Sequence, residues 1–328
     1  MDEKINEDRF FPSLKSLYLG DIVIDERYYF KLILMCPVLE ELFIRNDGVS
    51  HPPSWIGRVP SYPLKRLVID YLVRVPEYKH VYSEIEVRIG GPENLVYFEF
   101  SSYVHAYYGS FGDMESLVEA RLDLRLLEST TRFDDDTDTG EWNGVNGFDD
   151  IFGNATILIW RMASYVKILH LSPYSLEALH FGCEFFCEFH NLATLSFESD
   201  KDKSWQVLPR LLRITPKLQN LVIKGLLHRV TGRCGDVCPC YHRPIHKRVI
   251  GGRKPKVSCL PSLPLKVLEI SGYGGTCREI KQMRHFLGKL QCLQLVKIGV
   301  QPESDCNKLR SNLMRLPRLS SNCIIQFI

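Results

Sequence analysis

Side chains that could bind a metal are concentrated in one stretch, "HRVTGRCGDVCPCYHRPIHKRVIGGRKPKVSCLP", which begins at His228. The most closely spaced candidate ligands are Cys234, Cys238, Cys240 and His242. His246 and Cys259 lie further along the chain. Zinc takes four thiolate or imidazole ligands, often presented in closely spaced pairs. The spacing C-x3-C-x-C-x-H-x3-H matches no common pairing. We therefore predict no metal and no cofactor, with zinc binding as an alternative.

The same stretch is also basic, which raises the question of nucleic acid. Its cationic residues are Arg243, Lys247, Arg248, Arg253, Lys254 and Lys256. Single-stranded nucleic acid is usually held by basic residues interleaved with aromatic rings, and only Tyr241 could stack on a base here. The sequence favours a solvated basic loop over residues 226–257. Zinc or nucleic-acid binding through residues 228–259 remains an alternative.

The sequence contains none of the common catalytic motifs. We find no H-E-x-x-H, G-x-S-x-G, Walker or dinucleotide-binding pattern, so we do not expect an enzyme. Asp134, Asp136 and Asp138 have the spacing of a calcium-binding EF-hand loop. Thr139 and Val145 stand where that loop needs glycine and glutamate, so we predict a solvated acidic loop over residues 132–150.

Composition indicates a folded protein outside the secretory pathway. The 328 residues are 45% hydrophobic and 24% charged, with a net charge of +2, which gives no strong field toward nucleic acid or an acidic membrane. The start, "MDEKINEDRF", is polar, and no apolar run approaches the ~18 residues of a membrane span. We expect a cytoplasmic or nuclear location, no membrane partner, and 11 cysteines that are reduced core thiols.

Two distant segments share the pattern from which the fold can be predicted. They are "KLILMCPVLEELFI", from Lys31, and "RLLRITPKLQNLVI", from Arg210. Each reads as a leucine-rich helix, a proline that ends it, and a short strand with alternating apolar residues. Tyr28, Phe30, Ile33 and Leu34 form the expected first helical stripe, and Asp25 and Ser204 are the expected caps. Such units bury their apolar faces by stacking on one another.

The strand part recurs as a hexad, Leu-x-x-Leu-x-Leu with apolar substitutes. Leu14, Leu39 and Leu64 each begin a hexad and are 25 residues apart, within the ~20–29-residue period of leucine-rich repeats. Further hexads begin at Leu95, Leu117, Val166, Leu176, Leu192, Leu218, Leu265 and Leu293. The gap from Val166 to Leu176 is too short for a full repeat, so one of those two strands is expected to be irregular. We predict an α/β fold, an irregular leucine-rich-repeat solenoid over residues 9–225 with a parallel sheet on its concave face.

Alternation within each hexad predicts the binding surface. The third and fifth residues lie between buried positions and should face the open side of the sheet. Several of them are aromatic, arginine or histidine, and aromatic residues and arginine often dominate interface energies. The predicted protein-binding residues are Tyr18, Phe43, Arg66, Tyr97, Arg121, His170 and His180.

The sequence of the C-terminal part predicts a helix followed by two strands. Thr276 and Glu279 have the spacing of a capping box, and Ile280, Met283, Leu287 and Leu290 make one apolar stripe. We expect a helix over residues 276–288 and strands over 294–299 and 323–328. The last strand would cover the apolar end of the repeats.

Taken together, these segments resemble the plant F-box/leucine-rich-repeat proteins that end in an FBD domain. "FPSLKSLYLGDIVI" and "MCPVLEELFI" are similar to the first repeats of that family, and "CLPSLPLKVLEISGYGG" to the start of FBD. The ending "LPRLSSNCIIQF" matches the family's L-P-R-x-S-x-x-C-x-x-x-F close. The resemblance implies an FBD domain over residues 258–328.

The resemblance also implies a function. Members usually begin with an F-box that docks on the adaptor of a cullin–RING ubiquitin ligase, whereas about ten residues precede the first repeat here. We therefore expect a non-catalytic protein-recognition module resembling the substrate-receptor part of an SCF-type ligase, with adaptor binding in doubt. The alternative is a protein-binding or decoy scaffold with no ligase role. The sequence does not identify the protein partner.

Overall fold

The structure, a computed structural model, describes residues 11–20, 26–45, 63–72, 93–104, 114–126, 147–182, 187–242, 259–302 and 306–328. The chain divides into two compact units, Met1–Tyr165 and Val166–Ile328. The strands and helices counted in each unit are those of the described residues.

The first unit contains five strands, each paired in parallel with the next along the chain. The strands are β1 (Ser16–Gly20), β2 (Glu41–Arg45), β3 (Arg66–Tyr71), β4 (Tyr97–Tyr103) and β5 (Glu119–Arg125). Helix α1 (Glu26–Leu34) connects β1 to β2, and α2 (Gly147–Ala163) follows β5. Helix α1 followed by β2 is the helix-then-strand unit that the sequence predicts for the segment from Lys31.

The second unit contains six strands, which also pair in parallel in chain order. The strands are β6 (Ile168–Leu171), β7 (Thr194–Glu198), β8 (Asn220–Lys224), β9 (Val267–Tyr273), β10 (Leu295–Val300) and β11 (Ile324–Phe327). The helices are α3 (Pro173–Gly182), α4 (Leu208–Arg213), α5 (Cys277–Leu287) and α6 (Cys306–Met314). Short 3₁₀ turns lie at Gly235–Val237, Pro239–His242 and Leu260–Ser262.

The leucines of the hexads form the core. Register aligns the fourth hexad residues, so that Leu42 lies between Leu17 and Leu67 in the first unit, and Leu268 lies between Leu221 and Val296 in the second. Leu42, Leu67, Leu221 and Leu268 are all buried. Burial of these aligned rows removes apolar surface from water on one face of each sheet and leaves the alternate residues on the other.

Backbone hydrogen bonds extend the pairing into the turn before each strand. The second hexad residue donates its N–H to the carbonyl of the second residue in the previous hexad. Glu40 donates to Lys15 and Lys65 donates to Glu40, both at 2.8 Å. The same bond joins Gln294 to Lys266 at 2.8 Å in the second unit. The hexad is therefore a hydrogen-bonded unit as well as an apolar pattern.

One predicted strand is a helix. The hexad that begins at Leu176 lies in α3 rather than in a strand, so the prediction that His180 lies on the strand face is wrong. Leucines three residues apart followed by an apolar residue also fit one side of a helix. The start of α3 is fixed by Ser172, whose hydroxyl accepts a hydrogen bond from the Ser175 N–H at 3.1 Å, and by Pro173 at the first helical position.

Two details of the first repeats also differ from expectation. Of the predicted stripe in α1, Ile33 is buried and Phe30 is half-buried, whereas Tyr28 and Leu34 are exposed and Tyr29, outside the stripe, is buried. The N-cap of α4 is Val207 rather than Ser204. Asp25 lies outside the described residues.

The C-terminal elements agree with the sequence. Thr276 caps α5: its hydroxyl accepts a hydrogen bond from the Glu279 N–H at 3.3 Å, and the Glu279 carboxylate accepts one from the Thr276 N–H at 2.8 Å. Strands β10 and β11 are present as predicted.

The closing motif orders the chain between α6 and β11. Arg318 donates to the Cys323 carbonyl at 2.8 Å, and the Ser320 hydroxyl donates to the Leu293 carbonyl at 2.6 Å. Leu316 and Cys323 are buried. The arginine, serine and cysteine of this ending therefore hold the turn that brings β11 beside β10.

The cysteine prediction holds only in part. Every described cysteine is a free thiol, but Cys277, Cys292 and Cys306 are exposed rather than in the core. No helix within the described residues is long and apolar enough to cross a membrane. Of the acidic loop only residues 147–150, which begin α2, are described, and of the basic stretch residues 243–258 lie outside the described parts.

Candidate protein-binding face

The open face of the first unit brings five of the predicted residues into one row, which we call the arginine–aromatic row. Its members are Tyr18, Phe43, Arg66, Tyr97 and Arg121. Register pairs Tyr18 with Phe43 and Arg66 with Tyr97, while Arg121 pairs with Glu99, the fifth-position neighbour of Tyr97. One residue from each of five successive strands therefore contributes to a continuous surface.

Ring–ring and ring–guanidinium contacts connect the members of the row. The ring centroids of Tyr18 and Phe43 are 6.5 Å apart. The Arg66 guanidinium carbon lies 3.8 Å from the Tyr97 ring centroid and 5.7 Å from that of Phe43. Arg121 approaches Tyr97 from the other side at 5.9 Å. Cation–π contacts of this kind contribute about 0.5–1 kcal/mol each at exposed sites.

The row is accessible to a partner. Tyr18 is 59% exposed and is the most exposed ring of the row. Arg121 is exposed, and Phe43, Arg66 and Tyr97 are half-buried. Stacking restricts the rotation of these side chains before a partner arrives, which reduces the conformational entropy that binding would remove.

Acidic groups on the same face pair with the cations and tyrosine of the row. Tyr97 donates its hydroxyl proton to Glu99 at 2.5 Å. Arg121 donates to Glu119 at 3.1 Å. Burial, with help from the hydrogen bond to Glu99, raises the pKa of Tyr97 to about 12. The phenol therefore stays neutral at physiological pH and can accept as well as donate.

A second row of charges lies beside the first. Arg45 contacts Asp70 at 3.2 Å, and Arg125 contacts Asp123 at 2.9 Å. The nearby Asp70 carboxylate raises the pKa of Arg45. The face is thus rich in arginine but electrically balanced, which favours a partner with both apolar and acidic groups over a polyanion.

Both predicted histidines lie in the second unit, so neither belongs to the row. His170 lies on β6 opposite Ser196 of β7 and is half-buried. His180 is on α3, where its ring packs edge-on against Phe181 with the centroids 5.0 Å apart.

The metal-capable residues also come together in part. One ligand atom from each of His228, Cys234 and Cys238 lies within 4.8 Å of those of the other two, and all three side chains are buried. Cys240 is also buried and its N–H donates to the Cys238 sulfur at 3.4 Å, but its own sulfur is not within 4.8 Å of all three of these ligand atoms. The side chain of His242, the fourth candidate from the sequence, lies outside the described residues. His228 was missed because its spacing, six residues before Cys234, belongs to no common zinc pattern.

A cleft with basic walls lies beside this cluster. It is lined by Pro239, Lys281, Arg284, His285, Gly288 and Lys289. Its cationic residues come from α5 and the residues just after it, on one side of the helix. Among the described residues no Phe, Tyr or Trp lines this cleft, so these residues do not provide the stacking rings with which single-stranded nucleic acid is usually held.

Comparison with known proteins identifies relatives over nearly the whole chain. Putative F-box protein At1g64540 of Arabidopsis thaliana is 46% identical over 319 residues, which is 97% of this chain and 68% of that protein. F-box/LRR-repeat protein At1g48400 of the same plant is 45% identical over 337 residues, covering 97% and 67%. F-box/LRR-repeat protein At5g35995 is 44% identical over 329 residues, with the same coverage.

Other comparisons give no match. No protein-family model matches the chain, and no solved structure resembles it significantly. The relationship therefore rests on sequence similarity over 97% of this chain.

Proposed function

Because the chain belongs to the plant F-box/LRR-repeat protein family, we propose that it is a non-catalytic protein-recognition module. It corresponds to the part of such a protein that holds the substrate of an SCF-type ubiquitin ligase. The open face of β1–β5 is the binding surface, with the arginine–aromatic row at its centre. Residues 258–328 form the FBD domain that ends the repeats.

The observation that carries this proposal is the row itself. Tyrosine and arginine are the residue types most enriched among those that dominate interface energies, and here they are placed in contact on successive strands. They are not core residues, because the buried positions of the same strands are aliphatic or phenylalanine, with Ser102 of β4 as the exception. An exposed, pre-ordered aromatic and guanidinium surface is suited to a protein segment that presents apolar and carboxylate side chains.

The test is quantitative affinity purification from plant tissue, with the full chain as bait and mass spectrometry as the readout. We compare wild type with Tyr18→Ala/Arg121→Ala and with Tyr28→Ala, an exposed aromatic of α1 outside the row. A specific partner should be recovered by wild type and by Tyr28→Ala. Its recovery should fall about tenfold for the double variant, since a loss of ~1.4 kcal/mol is a factor of ten. Equal recovery by all three proteins would refute the role of the row.

The same samples also test whether the chain acts within a ubiquitin ligase. Recovery of the adaptor and cullin subunits with the partner would place recognition within a ubiquitin ligase. Recovery of a row-dependent partner without them would instead support the alternative, a binding or decoy scaffold with no ligase role. Both outcomes retain protein recognition and separate it from the ligase assignment.

A further inference from the structure

The strongest group outside the arginine–aromatic row is the buried cluster after β8. Its ligand atoms are the imidazole of His228 and the sulfurs of Cys234 and Cys238, all within 4.8 Å of one another. Tetrahedral zinc with Zn–S bonds of about 2.3 Å separates its sulfur ligands by roughly 3.8 Å. Small side-chain rotations would therefore bring these atoms to bonding distance.

His228 is oriented as a metal ligand. Its Nδ1 lies 3.2 Å from the Leu226 carbonyl, which can only accept, so Nδ1 carries the proton. Nε2 is then left with its lone pair, and it is buried with no hydrogen-bond partner. A buried polar atom without a hydrogen-bond partner destabilises the folded state. The imidazole is also held in place by Trp205, whose ring stacks on it at 3.8 Å and 11°.

Polar groups surround the sulfurs of the cluster. Cys240 adjoins it, because its backbone N–H donates a hydrogen bond to the Cys238 sulfur at 3.4 Å. The Thr231 hydroxyl lies 3.7 Å from the Cys234 sulfur. Donor groups directed at sulfur ligands offset the negative charge that metal-bound thiolates carry.

We propose that His228, Cys234, Cys238 and Cys240 form a structural zinc site. Three sulfur ligands and one nitrogen match the composition of closed tetrahedral zinc sites, in which the protein supplies every ligand. Soft thiolate ligands select zinc over magnesium or calcium. The site has no open coordination position and supports no catalysis.

The surrounding contacts indicate what the ion would stabilise. The Asp236 carboxylate, between the ligands Cys234 and Cys238, accepts hydrogen bonds from the Leu260 N–H and the Cys259 thiol, both at 3.0 Å. The Val237 carbonyl accepts from Gln282 of α5 at 2.7 Å, and that of Asp236 lies 2.6 Å from His285. Both ends of the long connection between β8 and β9 are thus tied to one turn. Zinc would hold that turn closed and so fix the connection against α5.

The first experiment measures metal content. The full chain is purified without chelator under reducing conditions from zinc-supplemented cells and analysed by inductively coupled plasma mass spectrometry. We expect about one zinc per chain, as one structural site requires. Cys234→Ser and His228→Ala should lose most of it. Cys259→Ser is the matched control, because Cys259 is buried in the same region but donates to Asp236 instead of joining the cluster; it should keep its zinc.

A second measurement does not depend on the variants folding. Zinc is removed from wild type and replaced by Co²⁺, which should produce the thiolate charge-transfer and visible bands of tetrahedral cobalt and should raise the melting temperature. Absence of zinc in wild type together with absence of these bands would overturn the proposal. So would zinc retained equally in Cys234→Ser and His228→Ala, or a Cys234–Cys238 disulfide found by alkylation and mass analysis. None of these outcomes bears on the proposed protein recognition, which uses other residues.

Discussion

Tyr97 connects the two arginines of the arginine–aromatic row and also binds an acid on its own strand. Its ring lies 3.8 Å from the Arg66 guanidinium carbon, and its hydroxyl lies 2.5 Å from Glu99. Because the guanidinium is planar, it stacks on the ring in a way that a lysine ammonium does not reproduce. The identity of residue 66 therefore matters beyond its charge.

The state of Tyr97 predicts a pH dependence of stability. Its pKa is about 12 in the folded protein and about 10 in an unfolded chain. Its stabilising contribution is therefore complete below about pH 10 and is lost as the pH rises toward 12. Wild type should lose stability over this interval, and Tyr97→Phe should lose less. Urea denaturation at pH 9 and pH 11 measures the difference.

The same experiment with Glu99→Gln tests the cause. Burial raises the pKa of Tyr97 first and the carboxylate adds to it, so removal of the charge should make the loss of stability intermediate between wild type and Tyr97→Phe. If Tyr97→Phe followed wild type throughout, the phenol would not titrate differently in the folded and unfolded states.

The sequence alone named the residues of the row and the three cysteines of the proposed zinc site, but not His228. Tyr18, Phe43, Arg66, Tyr97 and Arg121 follow from strand alternation, which depends only on position within a hexad. His228 meets Cys234 and Cys238 only because the chain folds back through short 3₁₀ turns after β8. Such turns have no repeating pattern from which a contact could be predicted.

At the scale of single elements, the start of α5 is fixed by a reciprocal pair. Thr276 and Glu279 exchange hydrogen bonds, and Glu279 also accepts from the Gly274 N–H at 3.1 Å while being buried. One carboxylate therefore satisfies the backbone of the turn that leads from β9 into the helix.

Removal of this cap should cost measurable stability. Thr276→Ala should lower the free energy of unfolding by about 1 kcal/mol, the usual effect of losing an N-cap side chain. Thr276→Ser keeps the hydroxyl and is the matched control, expected to stay within ~0.5 kcal/mol of wild type. Urea denaturation followed by circular dichroism gives both values. An alanine variant as stable as the serine variant would mean that the hydroxyl contributes nothing.

Element prediction succeeded where local and long-range signals agreed. The capping box, the stripe of α5 and strands β10 and β11 were all visible in the sequence. The hexad at Leu176 was misread because its apolar spacing suits a strand or a helix, and Ser172-Pro173, a common helix start, was the signal that distinguishes them.

At the scale of the whole molecule, contacts within each unit connect neighbouring strands. Every strand pairs only with the strands before and after it in its unit, so the effect of a core substitution should fall off along the chain. We expect the effect of a core substitution to remain within its own compact unit, either Met1–Tyr165 or Val166–Ile328.

Hydrogen exchange can test that boundary. Leu268→Ala leaves a cavity in β9 and should destabilise the protein by about 2–5 kcal/mol. Faster amide exchange should centre on β8–β10 and spare β2–β4. Leu67→Ala, equally buried in β3, is the reciprocal control and should produce the opposite pattern. A uniform increase across both units in either variant would show that the chain opens as one cooperative unit.

The alternation within each strand separates the residues that form the core from the residues that are available to contact other molecules. In Leu67-Val68-Ile69, for example, the outer two side chains are inside and the middle one is outside. Proteins that share this scaffold can therefore differ at the outward positions without loss of folding. The same property offers a protein engineer a ready library design, in which only the outward residues of β1–β5 are randomised and selected against a chosen ligand.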